Sequence, residues 1–140
     1  MKKIFLVLVA VMFSNFIAKA QYPNGTRVQA NGKPDVYLMM NNEKRWISSE
    51  KAYLNLFDNW NGVKKITIEE LNKIPTGKNI TELSYLAKSS SVKNVYFVDE
   101  GKFRRWITTG DAFRKYGFSD SKIKIKNDIL SIQPGIWDLE

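Results

Sequence analysis

The 140-residue chain carries 22 Lys and Arg against 14 Asp and Glu, a net charge of +8, and contains neither His nor Cys. Those two absences exclude a Ser-His triad, a thiolate nucleophile, the usual zinc or copper site and any disulfide, so folding rests on burial alone. The basic excess is also diffuse: residues 21–140 hold 19 basic against 14 acidic side chains, +3 over 21–80 and +2 over 81–140, unlike the concentrated patch of a nucleic-acid binder.

In chain order, Lys2-Lys3 precede an apolar run from Ile4 to Phe13, and a more polar stretch ends in Ala18-Lys19-Ala20. This pattern predicts a signal peptide over 1–20, cleaved before Gln21, and hence a secreted or periplasmic protein. The apolar run is shorter than the roughly 20 residues that cross a bilayer, so no membrane span is expected after cleavage. The remaining 120 residues suit one compact domain or two small fused ones.

Thr26 to Ala30 reads as a short strand, and Asn31-Gly32-Lys33-Pro34-Asp35 as a turn. Val36 to Met40 and Lys44 to Ile47 then form a hairpin across Asn41-Asn42-Glu43. Ser48 or Ser49 can cap a helix through Phe57, in which Tyr53, Leu56 and Phe57 share a face. Val63 to Ile66 is extended, and Thr67-Ile68-Glu69-Glu70 is a capping box for one helical turn that stops before Pro75.

The same series then restarts. Tyr85-Leu86-Ala87-Lys88 stands for the first strand, and the hairpin from Val95 to Ile107 has a turn one residue longer. Asp111 to Tyr116 repeats the helix with Gly117 as its C-cap, Ile123-Lys124-Ile125 repeats the extended segment, and Leu130 and Pro134-Gly135 repeat Leu71 and Pro75-Thr76-Gly77. The offset is 59 at the first hairpin strand, 60 at Trp46/Trp106 and 59 again at Leu71/Leu130, which marks an internal duplication. Identical positions recur in both copies, among them Val36/Val95, Tyr37/Tyr96, Arg45/Arg105, Trp46/Trp106 and Ile47/Ile107. The expected fold is α+β: two tandem ββαβ-like units, 21–80 and 81–140, with short antiparallel hairpins and small helices, sharing one core or a close interface.

The pattern Val-Tyr-Leu, polar turn, Lys-Arg-x-Ile, Ser-Ser, aromatic-bearing helix and Leu-x-x-Ile-Pro-x-Gly resembles a short tandem repeat of secreted and surface bacterial proteins. The likeness covers nearly all of 25–137, with a departure at Ile132-Gln133-Pro134-Gly135, one residue shorter than the first copy. It implies export and modularity, and it implies no chemistry.

Few residues could carry catalysis. Asp58-Asn59-Trp60-Asn61-Gly62 is a poor calcium loop, because Trp60 stands where an oxygen ligand is needed and the distal Glu is missing. The carboxylate pairs Glu69-Glu70 and Asp99-Glu100 do not correspond between copies and read as solvated and structural rather than as a glycosidase pair. The Ser48-Ser49 and Thr108-Thr109 hydroxyls are explained by capping. No cofactor or metal is expected.

Arg45-Trp46 and Arg105-Trp106 have binding character, with Tyr37 and Tyr96 beside them. Alternation along a strand separates Trp46 from Ile47, and Ile47 belongs with Ala52 and Tyr53 under the helix. Trp46 and Tyr37 then take the other face. There the Trp could stack on a sugar or planar group and the Arg could grip a carboxylate; alternatively, the two units pack face to face and bury both Trp between them. The functional expectation is an exported, non-catalytic binding module for a cell-surface glycan or envelope polymer, or else a structural or accessory subunit of an envelope assembly that meets a protein partner.

Overall fold

Asn41 and Asn42 both hold positive φ, 54° and 63°, the signature of a two-residue hairpin loop whose twist matches its strands. Met40 accordingly sits opposite Glu43. In the second copy Asp99 sits opposite Phe103, across a three-residue loop in which Glu100 and Gly101 take the left-handed conformation (φ 53° and 67°). These loops organise two sheets in the computed structural model, which describes residues 22–140. The signal peptide expected over 1–20 and its cleavage before Gln21 lie outside the described residues.

The first sheet contains β1 (Arg27–Ala30), β2 (Val36–Met40), β3 (Glu43–Trp46) and β4 (Lys64–Ile66), in the order β3-β2-β1-β4. The second contains β5 (Tyr85–Lys88), β6 (Tyr96–Asp99), β7 (Phe103–Trp106), β8 (Ile123–Ile125) and β9 (Gln133–Pro134), in the order β8-β5-β6-β7-β9. Strand for strand the topology repeats: β1 and β5 pair antiparallel to the following strand and parallel to β4 and β8. The protein is α+β, with mixed sheets, short hairpins and three small helices: α1 (Glu50–Leu54), α2 (Ile68–Asn72) and α3 (Gly110–Lys115).

The caps follow the local sequence. Ser49 and Thr109 accept from the backbone N–H of Ala52 and Ala112 at 3.1 and 3.0 Å. Thr67 and Glu70 form the reciprocal capping box, and Gly117, at φ 68°, follows the Tyr116 C-cap. The first helix is shorter than its apolar spacing predicts, ending at Leu54 with Asn55 as cap, although Leu56 and Phe57 still turn inward and are buried.

One core joins the two units. Leu38, Met40, Ile47, Ala52, Tyr53, Leu56 and Phe57 from the first pack with Leu86, Phe97, Ile107, Phe113, Tyr116 and Phe118 from the second. Phe118 is its hub, with ring centroids of Phe57, Phe97, Phe113 and Tyr116 at 5.8, 6.1, 5.8 and 5.3 Å. The opposite faces carry smaller clusters: Val28, Ala30, Met39, Ile66, Leu71 and Ile74 on the first sheet, and Ala87, Tyr96, Val98 and Ile129 on the second.

The copies diverge at their last turn. Leu71 is buried inside α2, whereas the identical Leu130 is 54% exposed and Ile129 fills the buried place. Three residues separate Ile125 from Ile129 where four separate Ile66 from Leu71, and the turn is a 3-10 helix over Ile129–Ser131, so the buried position falls one residue before Leu130. Leu130 therefore repeats Leu71 in sequence but not in packing. Leu130→Ala is expected to change stability by less than about 0.5 kcal/mol, the range of surface sites; a denaturant melt shifted by 2 kcal/mol or more, as for a buried leucine, would contradict this arrangement.

Candidate functional site

Tyr37 lies directly opposite Trp46, and Tyr96 directly opposite Trp106. Residues of a directly opposed pair project to the same face, so each Trp stands with its Tyr on the side of the sheet away from the shared core. Ile47 and Ile107, one position further on, point into that core. Neither Trp46 nor Trp106 belongs to the core clusters, and Trp106 is 40% exposed. The core between the units is built on the isoleucine face.

Each Trp lines a groove at the N-terminus of a helix, and the two grooves are equivalent by the repeat. The first, about 150 Å³, is formed by Val36, Trp46, Ser48, Ser49, Tyr53 and Trp60. The second, about 410 Å³, is formed by the matching Val95, Trp106, Thr108, Thr109 and Phe113, together with Arg114. Trp60 has no counterpart in the second copy. It is 47% exposed and stacks on Tyr53 at 3.7 Å between centroids, with the rings 16° apart. The rims differ in charge: Asp35 and Glu50 border the first groove, while Lys93 and Arg114 with Asp120 border the second. Ser49 and Thr109 are held by their capping bonds, and the Thr108 hydroxyl donates to the Leu139 carbonyl at 3.1 Å.

The arginines sit elsewhere. Adjacent strand residues face opposite ways, so Arg45 and Arg105 turn from their tryptophans toward the seam between the units, where they are 3% and 8% exposed. Both grip one carboxylate. Arg45 donates from Nη2 to Asp99 Oδ1 at 2.6 Å and from Nη1 to Oδ2 at 3.0 Å, and Arg105 donates from Nε to Oδ2 at 2.8 Å. Arg45 Nε also donates to the Lys78 carbonyl at 2.7 Å and Nη2 to that of Asn79 at 3.3 Å, while Arg105 Nη1 donates to Trp137 O at 3.4 Å. Each arginine thus pins the returning segment of its own unit, and Asp99 ties the two together. Burial would raise the Asp99 pKa, but the hydrogen bonds and charges of Arg45 and then Arg105 outweigh it and hold the carboxyl below its ordinary value.

Asp99 is the residue that sequence reasoning misplaced. It is buried, not solvated, while its neighbour Glu100 accepts from Thr81 N, Thr81 Oγ1 and Ser84 Oγ at 2.7, 2.6 and 2.6 Å. The signal was present: Asp99 occupies the position of the apolar Met40, at the end of a strand whose four residues are all buried. An acid there, with an arginine retained at the same position of each copy, points to a shared ion pair.

Among the described residues no group of three or more acidic side chains could hold a metal ion, and no helix is long and apolar enough to cross a membrane. No protein-family model matches the chain, and no curated protein or solved structure matches it significantly.

Proposed function

We propose that the protein is an exported, non-catalytic binding module whose two tryptophan grooves engage a cell-surface glycan or envelope polymer. The observation that carries this reading is the duplicated Trp, set on the sheet face that the shared core does not use; Tyr37 packs against the first sheet's smaller cluster and Tyr96 is buried in the second's, so each braces its Trp rather than lining the groove. A flat, partly exposed aromatic face suits the apolar face of a sugar ring. The lack of His and Cys, the signal-peptide pattern and the likeness to surface repeats support a non-catalytic, exported role. The alternative, an accessory subunit meeting a protein partner, draws on exposed apolar residues of the second unit, with Ile125 at 56% and Leu130 at 54%.

The test uses peptidoglycan fragments and insoluble envelope glycans in co-sedimentation. Trp46→Ala and Trp106→Ala are each expected to weaken retention while lowering stability by about 1 kcal/mol or less, well short of the 3–5 kcal/mol of a core aromatic. The double variant is expected to lose more than either single one, because two linked weak sites gain avidity only together. Wild-type protein that fails to sediment with any of these polymers, or single variants that melt like core mutants, would overturn the reading.

A further inference from the structure

We propose that the seam between the two hairpins is a second binding site, separate from the tryptophan grooves, for a small organic carboxylate with an apolar or aromatic body. A cleft of about 320 Å³ opens there, walled by Arg45, Lys78, Asp99, Phe103, Arg105 and Trp137, a size that suits a small molecule.

Three observations converge on it. The first is that the copies diverge where the cleft is built. Asp99 replaces Met40, Phe103 replaces Glu43, and Ile136-Trp137-Asp138 replaces the shorter Lys78-Asn79. Here the duplication yields one site from two unlike walls. Glu43 and Lys78 form a charged side, and Phe103, Ile136 and Trp137 an apolar side, with Ile136 fully exposed.

The second is an unused donor on a fixed guanidinium. Arg105 donates through Nε to Asp99 and through Nη1 to Trp137 O, and its guanidinium lies 3.5 Å from the Trp137 ring centroid. Its Nη2 has no hydrogen-bond partner among the described residues, and since none of them buries a side-chain nitrogen completely without one, this nitrogen keeps some accessible surface on a residue that lines the cleft. Gly135 makes the placement possible, since a Cβ there would run into the Arg105 guanidinium. A donor already oriented by stacking and ion pairing loses little freedom when a carboxylate arrives.

The third is charge. Three cations, Arg45, Arg105 and Lys78, face two carboxylates, Asp99 and Glu43. Lys78 and Glu43 take part in none of the ion pairs among the described residues. One positive charge is left over, at the end of an apolar wall. A carboxylate meeting Arg105 Nη2 and the Lys78 ammonium, with its body against Phe103 and Trp137, satisfies both features.

Phenylacetate is the probe, titrated by calorimetry and by following the indole resonances in nitrogen–proton correlation spectra. Saturable binding with a Kd below about 1 mM is expected, with the isosteric but uncharged phenylacetamide and the body-less acetate each weaker by about tenfold or more. Lys78→Ala and Phe103→Ala, at an exposed and a half-buried position, are expected to weaken phenylacetate about tenfold each with the spectral dispersion of the folded protein intact. Trp46→Ala and Trp106→Ala should leave this binding unchanged, which separates it from the glycan grooves. Absence of saturation up to about 10 mM, equal binding of the amide, indifference to Lys78→Ala and Phe103→Ala, or loss of binding in the groove variants would each overturn the proposal.

Discussion

Replacing Asp99 with Asn is expected to destabilise the protein by about 3–5 kcal/mol at neutral pH, the cost of leaving buried charges without their partner. The substitution keeps the shape and removes the charge, so Arg45 and Arg105, both more than nine-tenths buried, lose the one carboxylate that neutralises them. Their remaining bonds are to backbone carbonyls and the Met40 sulfur, which carry only partial charge. Because the clasp joins β3 of one unit to β6 and β7 of the other, the loss should appear as a single cooperative transition at lower urea rather than as local fraying. The effect should also depend on pH in a definite direction. The folded-state pKa of Asp99 lies below its unfolded value, so its contribution is fully present above the ordinary carboxyl pKa of about 3.9 and is lost as pH falls through the folded value. The gap between wild type and Asp99→Asn should therefore be constant from about pH 8 to 5 and shrink below about pH 4. Urea melts across that range check it; a gap under 1 kcal/mol at pH 7, or one that widens in acid, would show that the clasp does not hold the units together.

Ile47→Ala and Ile107→Ala are each expected to cost about 2–4 kcal/mol, as large-to-small changes in a packed core do. Both side chains are 5% exposed and belong to the core shared by the units. Each also sits where the chain is stitched twice. Ile47 N–H donates to the Val36 carbonyl at 2.9 Å while its residue bridges to Ile80, and Ile107 N–H donates to Val95 O at 3.0 Å while its residue bridges to Leu139. Little local movement is then available to close the cavity, which places the cost toward the upper end of that range. Near-equal losses at the two positions are expected, because they are equivalent in a core common to both units. Melts showing a loss under about 0.5 kcal/mol at either site would mean that the strand faces are assigned the wrong way round.

Much of the fold was legible because its signals are local. The two hairpins, the Thr67 cap, a cap within the Ser48-Ser49 pair, the Gly117 stop and the inward set of Ile47 all follow from residues within four positions of one another, where φ preference and strand alternation act directly. The duplication made them legible twice. The choice of Ser49 over Ser48 and the shortening of the first turn to Asn41-Asn42, with Glu43 in its strand, come from the structure. Apolar spacing predicts a longer first helix than forms, because Leu56 and Phe57 keep a helical spacing after the helix ends at Leu54, and burial alone cannot distinguish a helical turn from the bend that follows it. Identity matches Leu130 to Leu71 in sequence, but the 3-10 turn ahead of Pro134 puts the buried position at Ile129.

The candidate site divides along the same line. Alternation by itself set Trp46 with Tyr37 and apart from Ile47, because a strand has only two faces. It also set Arg45 apart from Trp46, and the idea of an Arg–Trp ledge overlooked that. What alternation could not decide is which face meets the other unit, because both faces of each sheet carry apolar residues. Only the tertiary structure decided that the isoleucine face closes the molecule, that Arg45 meets Asp99 across 54 residues of sequence, and that the unlike ends of the two copies enclose one cleft. The physical reason is that a strand's two-residue period assigns a side chain to a face, whereas whether a charged side chain can be buried depends on a counter-charge that no local period specifies.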